Sequence, residues 1–405
     1  MSNTQTIRET GPSAAAAVNS SPPDLVFPRE AIVGTLGSLA SELATGTEVP
    51  EEFIFACGLT IMGAICSGKL TLNVGMEVDP RLYTVLLGRS YDVKKSTAMK
   101  KTIDFFESLG SSQLPHVMYG VGSAEGLARH LSNHGKVLLA YDELRSFVDK
   151  TKVQTSVLLP LVASLYEQHR WENATKDADR DLVVGNGRLS VLGCCTTDTY
   201  QQMWTPEAVS IGFPNRLFVV GADRKAKVAW PQPPDQTRLA PIKLEILRQL
   251  SKLPLALEIT VEARHAWEEL YMGLPSSEHV KRLDTLGFRL LALIALTTDK
   301  TAIDVETVST VCHILEYELK MRELTDPIDA DNRIAKLEEK IRRALKHKGY
   351  LKPRELKKAV NAHRDGLWAY DRALQNLSAA QEIRRLGTGE WELIPCAVTP
   401  AVTPD

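Results

Sequence analysis

The chain has 405 residues, 44% of them apolar, with 48 Lys and Arg against 50 Asp and Glu. That length suits two or three domains with a sizeable buried core. A nearly neutral balance excludes a uniformly basic nucleic-acid coat, so affinity for nucleic acid has to come from a local patch. The six cysteines, at 57, 66, 194, 195, 312 and 396, show no paired metal-ligand spacing. They read as reduced core thiols of an intracellular, cytoplasmic protein.

Residues 1–26 have no basic start followed by a long apolar run. They read as a disordered tail rather than a secretory signal. "FPREAIVGTLGSLASELATG" and "PEEFIFACGLTIMGAICSG" then show helical spacing of apolar residues. From residue 82 the pattern alternates. Strands are expected at 82–87, 116–120, 137–142, 189–195 and 216–221. Helices are expected at 96–109 and 123–133, with further helical pieces in 153–169. Short apolar runs separated by helices predict an α/β fold with a parallel sheet covered on both faces.

The proline-rich "WPQPPDQTRLAP" marks a boundary, and 242–325 reads as mostly helical. No stretch approaches the roughly 20 apolar residues of a membrane span. "LGFRLLALIALTT" carries Arg289 and reads as a buried helix, so no membrane partner is expected. After residue 331, "RIAKLEEKIRRALKHKG", "PRELKKAVNA" and "LWAYDRALQNLSAA" predict three helices, with "EIRRLGTGEWELIP" a hairpin. That order is the winged-helix variant of the helix-turn-helix. The expected organisation is a tail at 1–26, an α/β core with N-terminal helices at 27–240, a helical lid at 241–330, a winged helix at 331–395 and a flexible tail at 396–405.

"LYTVLLGRSYDVKKSTAMKKTIDFF" passes from an apolar strand to an amphipathic helix through Lys94, Lys95, Ser96 and Thr97. A phosphate loop uses this layout: backbone amides wrap the phosphates, Lys contacts them and a hydroxyl meets magnesium. Only Gly88 supplies a glycine. With Lys95-Ser96 as the Lys-hydroxyl pair, the interval from Gly88 is one residue too long. With Lys94 the interval fits, but Lys95 takes the place of the hydroxyl. Lys95-Ser96 is preferred, with Thr97 in reserve. Helix 96–109 offers Met99, Ile103 and Phe106 to the sheet, and its N-terminus favours an anion. Against this, Tyr91, Asp92 and Val93 replace small residues, and a positive φ would strain Val93. The plain alternative is a strand-to-helix turn with a solvated basic face. Further on, "KVLLAYDELRSF" ends a strand in Asp142-Glu143, the place where such ATPases hold magnesium and polarise water. The alternative there is an acidic turn.

These blocks, with "YGVGSAEGLARHL", "LSVLGCCTTDTYQQ" and "GFPNRLFVV", resemble the P-loop ATPases classed as domain of unknown function 3987. Those proteins occur on phages, plasmids and other mobile elements, often beside primases. The resemblance covers roughly residues 27 to 320. It implies a RecA- or AAA-like core with ATP and Mg²⁺ as cofactors. It implies a loop of Gly88, Lys94, Lys95, Ser96 and Thr97, with Ser96 and Asp142 on the metal and Glu143 activating water. Thr196, or Thr197, becomes the candidate γ-phosphate sensor; capping of the next turn is the alternative. Arg216 becomes a candidate arginine finger toward a neighbouring subunit, with a salt bridge as its alternative. Arg282 and Arg289 are weaker candidates for a lid sensor. A homo-oligomer, such as a hexameric ring, follows from the finger, and a primase or other replication protein is a possible partner.

From Arg333 to Arg385 there are 15 Lys or Arg and 6 Asp or Glu, a segregated charge that suits DNA contact. The DNA-facing residues would be Arg372 and Gln375 on the third helix and Arg384 and Arg385 in the wing, with Tyr370 in the core. Leu367, Leu374 and Leu377 share its helical spacing. His116, His130, His134 and His169 show no ligand pattern in the sequence, and no Ser or Cys nucleophile motif is present. The expected function is an ATP-binding and hydrolysing DNA-replication protein of helicase, translocase or loader type. The first rival is a DNA-binding initiator or scaffold with a degenerate, non-hydrolysing loop. A DNA-dependent signalling or defence ATPase is the second.

Overall fold

A computed structural model describes residues 26–75, 78–88, 93–110, 114–152, 156–173, 182–223, 225–327 and 333–394. In chain order, α1 (Gly34–Ala44) and α2 (Glu51–Cys66) precede β1 (Leu70–Leu72), β2 (Tyr83–Leu87), α3 (Lys95–Glu107), β3 (His116–Met118), α4 (Ala124–His134) and β4 (Lys136–Tyr141). Next come α5 (Arg145–Thr151), α6 (Leu158–Glu167), β5 (Trp171–Asn173), β6 (Leu182–Val184), β7 (Arg188–Cys195), α7 (Thr197–Met203), α8 (Pro206–Ser210) and β8 (Leu217–Gly221). A second region holds α9 (Gln236–Ser251), β9 (Leu255–Ile259), α10 (Val261–Gly273), α11 (Leu283–Thr297), β10 (Ala302–Ile303) and α12 (Val305–Thr325). The C-terminal module is α13 (Arg333–Lys348), β11 (Tyr350–Leu351), α14 (Pro353–Ala359), α15 (Ala362–Asp365), α16 (Leu367–Ala379), β12 (Ile383–Arg385) and β13 (Trp391–Leu393).

Five strands form one parallel sheet in the order β3-β4-β7-β2-β8. All five residues of β2 are buried, as a central strand covered on both faces requires. The five expected strands all form, with ends shifted by one or two residues. α2 is buried from Phe53 through Cys66, so this helix is apolar all round and lies inside the core. On α3, Met99, Ile103 and Phe106 are each buried, which seats the helix as its spacing predicts.

Between residues 242 and 325 the chain is mostly helical, with two short strands that the sequence reading did not place. β1, β9 and β10 make a small parallel sheet, with Leu70 opposite Leu255 and Ala302 opposite Glu258. One apolar cluster runs from Phe27 to Met321, so the helices after the proline-rich stretch share their core with the main sheet. The C-terminal module has a cluster of its own around Leu337, Ile341, Leu356, Tyr370 and Leu377. Its helices are joined by a three-stranded antiparallel sheet of order β11-β13-β12. The turn "HRDG" begins in the short helix α15. Leu367, spaced like a core residue, is 42% exposed. It opens α16 directly after Gly366, where no preceding turn covers it.

β8 is an edge strand, and α12 closes that edge with side chains. The Tyr317 hydroxyl accepts from Gly221 N at 2.8 Å, and Glu318 accepts from Val219 N at 3.0 Å. Unpaired edges otherwise invite further strand pairing. Glu318 is held by Arg322 at 3.1 Å, with side-chain exposures of 0% and 1%. Removing one partner of a buried pair strands the other charge, at a cost of about 3–5 kcal/mol. Glu318→Ala is therefore expected to lower the urea midpoint sharply without changing the m-value. A shift no larger than that of a surface substitution would show that α12 does not secure this edge.

Candidate functional site

β2, β4 and β7 end on the same side of the sheet, with Leu87 opposite Cys195 and Tyr141 opposite Gly193. The residues following these ends form the candidate site. The loop after β2 begins at Gly88; Arg89, Ser90, Tyr91 and Asp92 lie outside the described residues. Val93 is buried, and a Cβ on Gly88 would come within 3.0 Å of its Cβ. The loop's one glycine is thus required by the close approach of Val93.

The two lysines separate. Lys94 Nζ lies 3.5 Å from Glu48 Oε2, and its side chain is 42% exposed. Lys95 is 9% exposed and donates from Nζ to the Gly88 carbonyl at 2.9 Å. Burial lowers the pKa of Lys95, while the nearby Cys194, Cys195 and Glu143 work the other way. Lys95 opens α3, whose N-cap residue Lys94 makes no side-chain capping bond. Lys95 N is bonded to Val93 O at 2.7 Å, so the helix would meet an anion through the amides of Ser96 and Thr97. Ser96 and Thr97 follow, both exposed.

Asp142 and Glu143 are exposed just past the end of β4. The bend that carries them is fixed on β7, because Leu144 N donates to Cys194 O at 2.8 Å. Gly193 makes room for it: a Cβ there would lie 2.9 Å from Leu144 Cδ1. The Ser96 side chain stands near the Cys194 thiol and works against the rise of its pKa. The Cys195 thiol donates to Glu143 Oε1 at 3.8 Å. Burial pushes both thiols up to about 12, so they line the site as neutral groups. Apolar patterning alone marks these cysteines only as core. Their position at the end of "LSVLGCC", directly before Thr196, is the signal that points to the site.

Thr196 stands at the end of β7 and caps α7. Its hydroxyl accepts from Thr199 N at 3.2 Å and donates to Thr199 Oγ1 at 2.8 Å, which is the capping alternative. Arg216 is at the other end of the sheet, since Leu217 after it pairs with Tyr83, the first residue of β2. It is 9% exposed and donates to the Ile211 and Gly212 carbonyls at 2.7 and 2.9 Å. An arginine finger needs a guanidinium presented to another chain, whereas this one closes the turn before β8. Arg289 is buried over the Tyr166 ring and donates to the Arg81 and Tyr166 carbonyls. Arg282 is ion-paired with Glu167.

In the C-terminal module, Tyr370 is fully buried and Trp368 is 67% exposed. Arg372 and Gln375 are exposed on α16. Arg384 faces Glu392 across the hairpin and is ion-paired with it while remaining largely exposed, so a carboxylate stands beside its charge. A concave basic surface lies elsewhere, lined by Pro353, Arg354, Lys357, Lys358, Asn361 and His363. Asn361 Nδ2 reaches Asp198 Oδ2 on α7 at 3.4 Å, and Arg343 donates to the Asp326 carbonyl at 2.7 Å. The module is therefore in contact with the helix that follows Thr196. His116, His130 and His134, which show no ligand pattern in the sequence, are brought together on the outer flank of the sheet.

No family model and no curated protein matches the chain. The family resemblance rests on the sequence blocks themselves. No helix among the described residues is long and apolar enough to cross a membrane.

Proposed function

We infer that the chain is an ATP-binding and ATP-hydrolysing protein of the RecA/AAA type that acts on DNA. The observation that carries this reading is the convergence of a buried lysine at an uncapped helix N-terminus with an exposed Asp-Glu pair across the same sheet edge. The strand order supports it, because β7 lies between the loop strand β2 and the acidic strand β4. When bound, ATP with Mg²⁺ would supply a phosphoanhydride whose charge the metal offsets. Lys95 would contact the β and γ phosphates, with Gly88, Ser96, Thr97 and the α3 amides around them. Lys94, paired with Glu48, would act only at long range. Ser96 and Asp142 would hold the metal, and Glu143 would orient water and take its proton. Thr196 has its hydroxyl bound to Thr199, and Arg216 receives no role in this chain's own site. A helicase, translocase or loader role in replication, and a ring assembly, rest on the family resemblance. The experiment is ATP hydrolysis without DNA and with single- or double-stranded DNA. DNA-stimulated turnover is expected. ATP binding without turnover would favour the scaffold reading, for which Tyr91 and Asp92 in the loop speak.

The C-terminal module, read as a winged helix, would supply much of the DNA affinity through its excess of positive charge. Each Lys or Arg withdrawn from a phosphate lowers the slope of log affinity against log salt by about 0.9. Charge reversal at Arg354, Lys357 and Lys358 is expected to weaken binding and flatten that slope. Arg384→Ala should do much less, because it removes a single charge that already has a carboxylate partner in Glu392. Anisotropy titrations of the full-length variants over several salt concentrations measure both. Unchanged affinity and slope in the triple variant would assign DNA contact to Arg372, Gln375 and Arg385, or to the ATPase core.

A further inference from the structure

His130 and His134 are four residues apart on α4, so both project from one face of its last turn. His116 opens β3 and pairs with Val137 near the start of β4. The chain runs up β3, turns, and returns along α4, which brings the last turn of the helix back to the first residue of the strand. Three imidazoles thus meet although 13 residues separate His116 from His130. One ring nitrogen from each lies within 4.8 Å of the other two. The rings are nearly parallel, with centroids of His116 and His134 at 4.0 Å, His116 and His130 at 5.1 Å, and His130 and His134 at 5.9 Å.

This cluster is unlike an ordinary surface histidine patch in one respect. Nδ1 of His130 is buried and has no hydrogen-bond partner among the described residues. A buried ring nitrogen left unpaired costs free energy unless something binds it. His116 and His130 are half-buried, while His134 is exposed. Two ligands are therefore fixed by packing, and the third is free to turn.

We propose that His116, His130 and His134 bind a divalent transition-metal ion of the zinc class. Three neutral imidazoles suit Zn²⁺, Co²⁺, Ni²⁺ or Cu²⁺. Hard ions such as Mg²⁺ and Ca²⁺ prefer oxygen donors, so this site is chemically separate from one that serves a nucleotide. In a tetrahedral site with Zn–N bonds of about 2.0–2.1 Å, ligand nitrogens lie roughly 3.3 Å apart. The three nitrogens, now within 4.8 Å of one another, have to draw together to reach that spacing, and the exposed His134 ring is the one with most freedom to move. Three protein ligands leave the fourth position to water. The site lies at the strand-start end of the sheet, opposite Lys95 and Glu143, so it takes no part in the nucleotide site. β3 is a three-residue edge strand, and the ion would clamp it to α4.

The test uses full-length, untagged protein, stripped with chelator and titrated with Co²⁺, with Zn²⁺ as competitor. Saturation at one ion per chain is expected, with the intense visible bands of tetrahedral cobalt, and Zn²⁺ should raise the Tm by several degrees. His134→Gln changes an exposed residue and should fold normally by circular dichroism, yet weaken affinity at least about tenfold. His130→Gln should do the same, and the distant His363→Gln should not. Absence of saturable cobalt binding, or wild-type affinity in both His134→Gln and His130→Gln, would overturn the proposal. The readout does not involve ATP turnover, so it stands or fails independently of the nucleotide reading.

Discussion

Lys95→Ala is expected to lower ATP affinity by about ten- to hundredfold, and Lys94→Ala by much less. The size follows from a charge-assisted hydrogen bond worth about 1.5–3 kcal/mol. The asymmetry follows from position. Lys95 is the first residue of α3, 9% exposed, with Nζ held 2.9 Å from the Gly88 carbonyl. A charge there meets its partner in a partly water-excluded setting, where electrostatic contacts are stronger. Lys94 is 42% exposed and already 3.5 Å from Glu48, so solvent and a carboxylate both screen it. Calorimetric titration of ATP into both variants separates the two. Lys95→Met serves as a control that keeps the side chain's bulk beside Gly88. If Lys95→Ala and Lys95→Met bind ATP as the wild type does, Lys95 is not the phosphate lysine. If Lys94→Ala carries the loss instead, the register from Gly88 is the shorter one.

Much of the main sheet was legible because parallel strands buried on both faces read as short apolar runs, such as Tyr83–Leu87 and Arg188–Cys195. The small sheet was not. β1 and β9 are short, and Leu70 finds its partner at Leu255, a pairing that no local pattern announces. The site divides in the same way. Its loop lysine and its acidic pair stand at strand ends, where the sequence pattern can place them. What distinguishes Lys95 from Lys94 is Glu48, a residue from before α2. Arg216 shows the limit most clearly. "GFPNRLFVV" is compatible with a presented guanidinium, and only the tight turn at Ile211 and Gly212 encloses it. His116, His130 and His134 gave no ligand pattern in the sequence, because the arrival of His116 beside the other two depends on how β3 and α4 fold back on each other. Arg384 was expected in the wing, and the hairpin register is what sets a carboxylate, Glu392, beside it.

Glu143→Gln is expected to bind ATP with nearly unchanged affinity and to hydrolyse it about a hundredfold more slowly, the usual scale for loss of a general base. The substitution keeps the shape of the side chain and its acceptor oxygen, and removes the capacity to take a proton. On the proposed reading, ground-state contacts to the phosphates would come from Lys95 and the start of α3, so affinity should be spared while the chemical step is slowed. The geometry fits this role. Glu143 is exposed at the sheet edge, and its backbone is positioned by the bond from Leu144 N to Cys194 O. The Cys195 thiol, with its pKa pushed up to about 12, stays neutral. It donates weakly to one carboxylate oxygen and leaves the other for water. Cys195→Ala should therefore change turnover only modestly. Single-turnover hydrolysis in the presence of DNA, paired with nucleotide titration, measures both effects. Turnover at the wild-type rate in Glu143→Gln would move the base to Asp142, the adjacent carboxylate. If the wild-type protein binds ATP and shows no turnover with any DNA, the loop serves a scaffold, and Glu143 has no chemical step to support.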